Sequence, residues 1–306
     1  MVNSHCENFE AAVRAALPEL RLLVNEPMCR HTSFRIGGPA DYLAIPQTEA
    51  QLAALLELGR AHQVPVTIVG NGSNLLVRDK GVRGLVVKMA GGLMTLACDG
   101  DTITAGAGVA LAAVAHFAAT HKLTGMEFAV GIPGSLGGAV FMNAGAYDGD
   151  MAAVVGRVSA ITLAGEKINF AREALAFAYR HSCLQENQCI VTTVELRLRR
   201  GDAAAIKAKM DDYTERRITK QPLHVPNAGS AFKRPPGHFA GALIEKAGMK
   251  GFAVGGAQVS EKHAGFIVNT GGATADDVLR LIAAVQEKVL ALTNVKLEPE
   301  VRVLGE

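Results

Sequence analysis

A chain of 306 residues exceeds what one hydrophobic core usually serves, so two or three packed units are expected. Its 49% hydrophobic and 20% charged residues exclude a disordered chain, and a net charge of +2 with no block of like charges excludes a nucleic-acid-binding arm. Five cysteines without CxxC spacing and nine histidines without HxxxH spacing beside an acid point away from a disulfide framework or a metal, and each cysteine reads as a small buried hydrophobe.

The chain opens on a predicted helix, with Ser4 and Glu7 at capping-box spacing and Phe9 and Val13 one turn apart on one face. Glu7, Glu10, Arg14, Glu19 and Arg21 interrupt any apolar leader, so no signal peptide and a cytoplasmic location are expected. A strand at 42–45 follows, then a helix opened by Thr48 with Gln51 and carrying Leu52, Leu55 and Leu56, then a strand at 65–69. This strand, helix, strand order has a parallel flavour. Another apolar run spans 85–89, and segments 95–97 and 102–104 flank Asp99-Gly100-Asp101 as a hairpin. A helix is predicted at 111–121.

The run 128–147 is uncharged and long enough to span a bilayer, but Pro133, Asn143 and five glycines make it a loop system, so no membrane partner is expected. Segments 160–163 and 167–170 form a hairpin around Gly165, and Val194, Leu196 and Leu198 alternate with Glu195, Arg197 and Arg199 as a strand with one wet face. Charge thickens over 199–220, where the helix-prone 202–217 suggests a connector and a boundary near residue 200. Beyond it, a helix at 239–247 stops at Gly248. A longer one, capped by Thr274 with Asp277, carries Val278, Leu281, Ile282, Val285, Val289 and Leu292 as a core stripe. The pattern is α+β.

Two Gly-rich stretches carry the chemical signal. Gly70-Asn71-Gly72-Ser73-Asn74-Leu75-Leu76 follows a strand directly and lacks the lysine and spacing of a Walker loop; its backbone N–H groups can converge on a pyrophosphate. Gly131-Ile132-Pro133-Gly134-Ser135-Leu136-Gly137-Gly138-Ala139, followed by Asn143-Ala144-Gly145-Ala146-Tyr147, lets main chain approach a flat or phosphorylated ligand closely. Either alone reads equally as a turn, and neither fits the GxGxxG dinucleotide fingerprint. Together they point to a phosphate-bearing cofactor.

Six motifs in order carry a resemblance over nearly the whole chain. They are Thr32-Ser33-Phe34-Arg35-Ile36-Gly37-Gly38-Pro39-Ala40, the two Gly-rich stretches, Tyr179-Arg180-His181-Ser182, Gly229-Ser230-Ala231-Phe232-Lys233-Arg234-Pro235 and Leu297-Glu298-Pro299-Glu300-Val301-Arg302. In these the chain resembles the UDP-N-acetylenolpyruvoylglucosamine reductases, the MurB family, in its shorter subclass without the substrate-covering Tyr insertion. Arg234 departs from the Asn that many members carry.

The resemblance implies an FAD-binding fold of the vanillyl-alcohol-oxidase (PCMH) type. Its two subdomains are expected at 1–89 and 90–200, with an α+β substrate-binding domain at 201–306 whose last residues pack back on the FAD-binding part. Noncovalent FAD is expected on Gly70, Asn71, Gly72, Ser73, Asn74, Leu75, Gly131, Ile132, Pro133, Gly134, Ser135, Gly137, Gly138, Ala139, Asn143, Ala144 and Gly145. The family reduces UDP-N-acetylglucosamine enolpyruvate, a small molecule, to UDP-N-acetylmuramate with NADPH, in peptidoglycan biosynthesis. Other FAD-dependent oxidases or dehydrogenases of the same fold, or a silent FAD- or UDP-sugar-binding protein, are the alternatives.

An enol ether conjugated to a carboxylate, once reduced at its β-carbon, spreads negative charge over the α-carbon and carboxyl group. That charge needs a cation, a polar partner and a general acid. The motif match assigns Ser230 as proton donor and puts Arg180 and Glu300 beside the substrate carboxylate. Glu300 would repel that carboxylate if ionised, so it is expected neutral or paired with Arg180. Without the match, Ser230 reads as a turn serine, Arg180 as a structural ion pair and Glu300 as a solvated strand residue. Lys220, Arg217 and Lys233 are candidates for the UDP diphosphate, and Tyr179 is carried along as a substrate contact. His181 and His263 read as structural or exposed.

Overall fold

The computed structural model describes residues 4–306, the side chains of residues 4–7 excepted, so the capping pair of Ser4 and Glu7 and the thiol of Cys6 lie outside the described residues. The described chain divides into two compact units, each assembled from three separate segments: residues 4–24, 42–71 and 84–215 in the first, residues 25–41, 72–83 and 216–306 in the second.

In the first unit, Phe9 and Val13 of the helix Ser4–Ala16 are fully buried, Phe9 edge-on to Tyr42 at 5.2 Å between ring centres. Thr48 caps the helix Glu49–Ala61 by accepting the Gln51 N–H, and Leu52, Leu55 and Leu56 are its buried face. The strand Val66–Val69 runs parallel to Val82–Lys88, with Val66 opposite Leu85 and Val69 opposite Lys88. The helix and the strands on either side of it were legible in the residue pattern, but Pro39–Ile45 and Val66–Val69 are not neighbours: Val82–Lys88 lies between them in the sheet.

An antiparallel five-stranded sheet completes this unit, in the order Lys167–Ala171, Val155–Ile161, Ile190–Arg197, Thr102–Gly106, Leu96–Asp99. Gly100 and Asp101 form the two-residue turn between paired Asp99 and Thr102, and Gly165 turns the second hairpin at φ 89°. Val194, Leu196 and Leu198 are buried as their alternation predicts.

The reading of 128–147 as loops needs correction: Leu136–Phe141 is a helix, capped by Ser135, which accepts the Gly138 N–H. Two glycines weaken its intrinsic propensity, but Leu136 and Val140 are fully buried, and packing overrides propensity. The connector is likewise one continuous helix, Ala203–Lys220, in which Ile206, Met210 and Tyr213 recur at helical spacing as its buried stripe. The cysteines also differ from expectation. Cys189 is buried, whereas Cys29, Cys98 and Cys183 are only partly so, Cys98 because its strand is the sheet edge.

In the second unit, a four-stranded antiparallel sheet has the order Asn227–Ser230, Phe266–Asn269, Ala257–Val259, Ala253–Val254. Thr274 and Asp277 form the predicted capping box of the helix Ala275–Thr293, and the Asp79 carboxylate accepts the Ala275 and Asp276 N–H groups. Val278, Leu281, Val285 and Val289 are buried against Ile244 and Leu297, each contributing about 1.5–3 kcal/mol on removal from water. Leu292 departs from the predicted stripe: it is exposed, one residue before the helix ends at Thr293. The C-terminal strand Arg302–Leu304 pairs in parallel with Leu75–Val77. No helix among the described residues is long and apolar enough to cross a membrane.

Candidate active site

The first unit brings the start of one Gly-rich loop against the other. Asn71 Nδ2 donates to the Pro133 carbonyl at 2.6 Å, and a Cβ on Gly70 would stand 2.6 Å from Ser135 Oγ. Only a residue without a side chain allows that approach. The second loop is fastened from behind, Leu111 N–H donating to the Gly134 carbonyl and the Leu136 and Gly137 N–H groups to the carbonyls of Val109 and Ala107. A cleft of about 290 Å³ opens beside Asn71 and Ser135, lined also by Lys88, Met94, Gly108 and Ala110.

Asn143 is buried and braces its surroundings. Its Nδ2 donates to the Ala178 carbonyl at 3.0 Å and its Oδ1 accepts the Ala152 N–H at 2.9 Å. The first of these bonds ties the end of the Gly-rich stretch to the turn that carries Tyr179 and Arg180. Ala178 and His181 close that turn as a β-bridge, with Arg180 at φ 55°. Gln185 Nε2 donates to the carbonyls of Arg180 and Phe141, both at 3.0 Å, and Ser182 Oγ to Phe141 at 2.8 Å. The Arg180 guanidinium lies 5.1 Å from the ring centre of exposed Tyr179. Ser182 and Gln185 support this turn; Ser182 was named only as part of the Tyr-Arg-His-Ser motif, and Gln185 escaped the sequence reading.

The second unit brings Ser230 and Glu300 onto adjoining backbone. Ser230 ends the strand Asn227–Ser230 and is exposed, and the next residue, Ala231, accepts the Glu300 N–H at 2.9 Å. Asn74 joins the same cluster, its Nδ2 donating to the Glu300 carbonyl at 3.1 Å while its own carbonyl accepts the Arg302 N–H. Gly72 is held at φ 68° against the His31 backbone, where any Cβ would collide with the His31 carbonyl. Ser33 links this loop to the Ser230 strand, its N–H donating to the Gly72 carbonyl and its Oγ to the Asn227 carbonyl at 2.7 Å. Lys233 pairs with Glu298 at 3.4 Å, and Arg217 and Lys220 stand in the last turn of Ala203–Lys220.

Comparison with known proteins decides the kinship of this arrangement. A model described as FAD binding domain matches residues 40–171, and one described as UDP-N-acetylenolpyruvoylglucosamine reductase, C-terminal domain, matches residues 221–304. The reductase of that name from Heliobacterium modesticaldum is 53% identical, the alignment covering 92% of this chain and 90% of the relative. That of Caldanaerobacter subterraneus subsp. tengcongensis is 49% identical over 96% and 97%. The chain belongs to the UDP-N-acetylenolpyruvoylglucosamine reductase (MurB) family. The crystal structure of MurB from Thermus caldophilus superposes with a TM-score of 0.81 at 37% identity, covering 94% of this chain and 99% of that one. The expected α+β FAD-binding fold with a C-terminal MurB domain is therefore borne out, and the protein is an FAD-dependent oxidoreductase.

Proposed function

We propose that this MurB chain uses NADPH to reduce UDP-N-acetylglucosamine enolpyruvate to UDP-N-acetylmuramate, the cytoplasmic step of peptidoglycan biosynthesis that serves cell-wall growth, shape and division. FAD, when bound, supplies the hydride-transfer chemistry. The residues present fit it: Gly70 and Ser135 meet at a distance that leaves no room for a Cβ, and the cleft beside them is lined by small or uncharged residues apart from Lys88.

The observation that carries this reading is the turn holding Arg180, pinned to the second Gly-rich stretch by Asn143, Ser182 and Gln185. A permanently charged planar fork on so braced a turn suits a carboxylate that gains charge during reduction. Ser230 then delivers a proton to the α-carbon. A serine is a weak acid, so its efficacy depends on position, which the adjoining Glu300 backbone helps to set. Glu300 is assigned to the same carboxyl end of the substrate. Arg217, Lys220 and Lys233 are assigned to the UDP diphosphate and Tyr179 to substrate contact, and the expected segments 1–89, 90–200 and 201–306 are retained as functional divisions.

Anaerobic mixing with NADPH should bleach the flavin absorbance of the purified protein. Ser230→Ala should preserve that bleaching while turnover of the enolpyruvyl substrate falls about 10²–10⁴-fold. Equal loss of both half-reactions, or turnover unaffected by the substitution, would remove Ser230 from the proton-transfer role.

A further inference from the structure

Lys88 ends the strand Val82–Lys88 and stands in parallel register with Val69, the residue just before Gly70 and Asn71. The Met89 N–H donates to the Val69 carbonyl at 2.8 Å, holding this end of the strand level with the start of the loop. Leu85, Val87 and Met89 belong to the apolar core of the first unit, so strand alternation turns Lys88 to the opposite face. There its side chain lines the cleft of about 290 Å³ together with Asn71, Gly108 and Ser135, and the other described lining residues are uncharged.

We propose that Lys88 is a binding residue for the phosphate groups of FAD, a cation placed on the cleft where the Gly-rich loops meet at Asn71 and Ser135. The inference rests on the reading that this cleft accepts the dinucleotide. Neutral N–H groups orient phosphate oxygens but leave their net charge uncompensated, and an ammonium on the same cleft wall supplies that compensation. Burial, and next the charge of Arg21, pushes the Lys88 ammonium below its ordinary range.

Release of flavin fluorescence on dilution of the full-length holoenzyme tests this at low and at high potassium chloride. Lys88→Met should weaken FAD binding about tenfold at low salt, with the gap narrowing at high salt as screening replaces the lost charge. Lys88→Arg should stay within about threefold of the unsubstituted protein, because it keeps the charge. No gap at low salt, a gap indifferent to salt, or an arginine variant as weak as the methionine one would overturn the assignment, the last two marking Lys88 as a packing residue. Unsubstituted protein that releases no FAD signal because it never held any would instead overturn the placement of the cofactor, and this inference with it.

Discussion

The ring of His263 packs edge-on to Phe266 at 5.0 Å between centres and accepts the Gly265 N–H at Nδ1 over 3.1 Å. Burial, with Lys250 adding to it, holds its proton affinity below the ordinary value of 6.5, although its own backbone hydrogen bond and Glu245 oppose the shift. The unfolded chain therefore takes up this proton first, so the stability His263 contributes is complete above pH 6.5 and lost as pH falls below it. Thermal melts should show the midpoint of the unsubstituted protein dropping from pH 6.5 downward more steeply than that of His263→Asn. Coincident pH profiles would remove the effect from this residue. Sequence placed His263 among structural or exposed residues; its bond to Gly265 and its contact with Phe266 supply the structural half of that reading. Spacing gave no hint of either, because a ring nitrogen accepting a backbone N–H two residues on leaves no periodic mark.

Elements with local signals were readable in advance, and those held by distant partners were not. Thr48 and Thr274 advertise helix starts because a cap bonds within three residues of itself, and the alternation around Val194 advertises a strand because one face must be buried. The short helix Leu136–Phe141 has such a cap in Ser135, but Gly137 and Gly138 hide the helix behind it, and packing rather than propensity holds it. Asn143, just past its end, ties this element to the Arg180 turn through the Ala178 carbonyl and to the following segment through the Ala152 N–H. Asn143→Ala strands both groups in a buried setting and should cost about 1–3 kcal/mol in urea denaturation. The same variant should raise the KM for the enolpyruvyl substrate, since the Arg180 turn loses one of its anchors; an unchanged KM would sever the brace from the site.

At the scale of the whole molecule, cofactor removal is the most direct intervention. FAD in hundredfold excess over its dissociation constant should stabilise the folded chain by about 2.7 kcal/mol relative to apoprotein, raising the melting midpoint in a concentration-dependent way. A midpoint indifferent to added FAD would contradict preferential binding to the folded state. The family motifs were legible end to end because each is a short string of residues, and the helices and hairpins were legible because capping and periodicity act over a few residues. What joins Leu75–Val77 to Arg302–Leu304, Asn74 to Glu300, or Lys88 to Asn71 is not written in any window of the chain. Such partners are selected by the closure of long loops and by competition for buried space, so they emerge only when the apolar faces of all the elements are satisfied together. The residue types proposed to hold a cofactor and carry a proton are thus set by sequence alone, whereas which residues stand side by side is settled by packing.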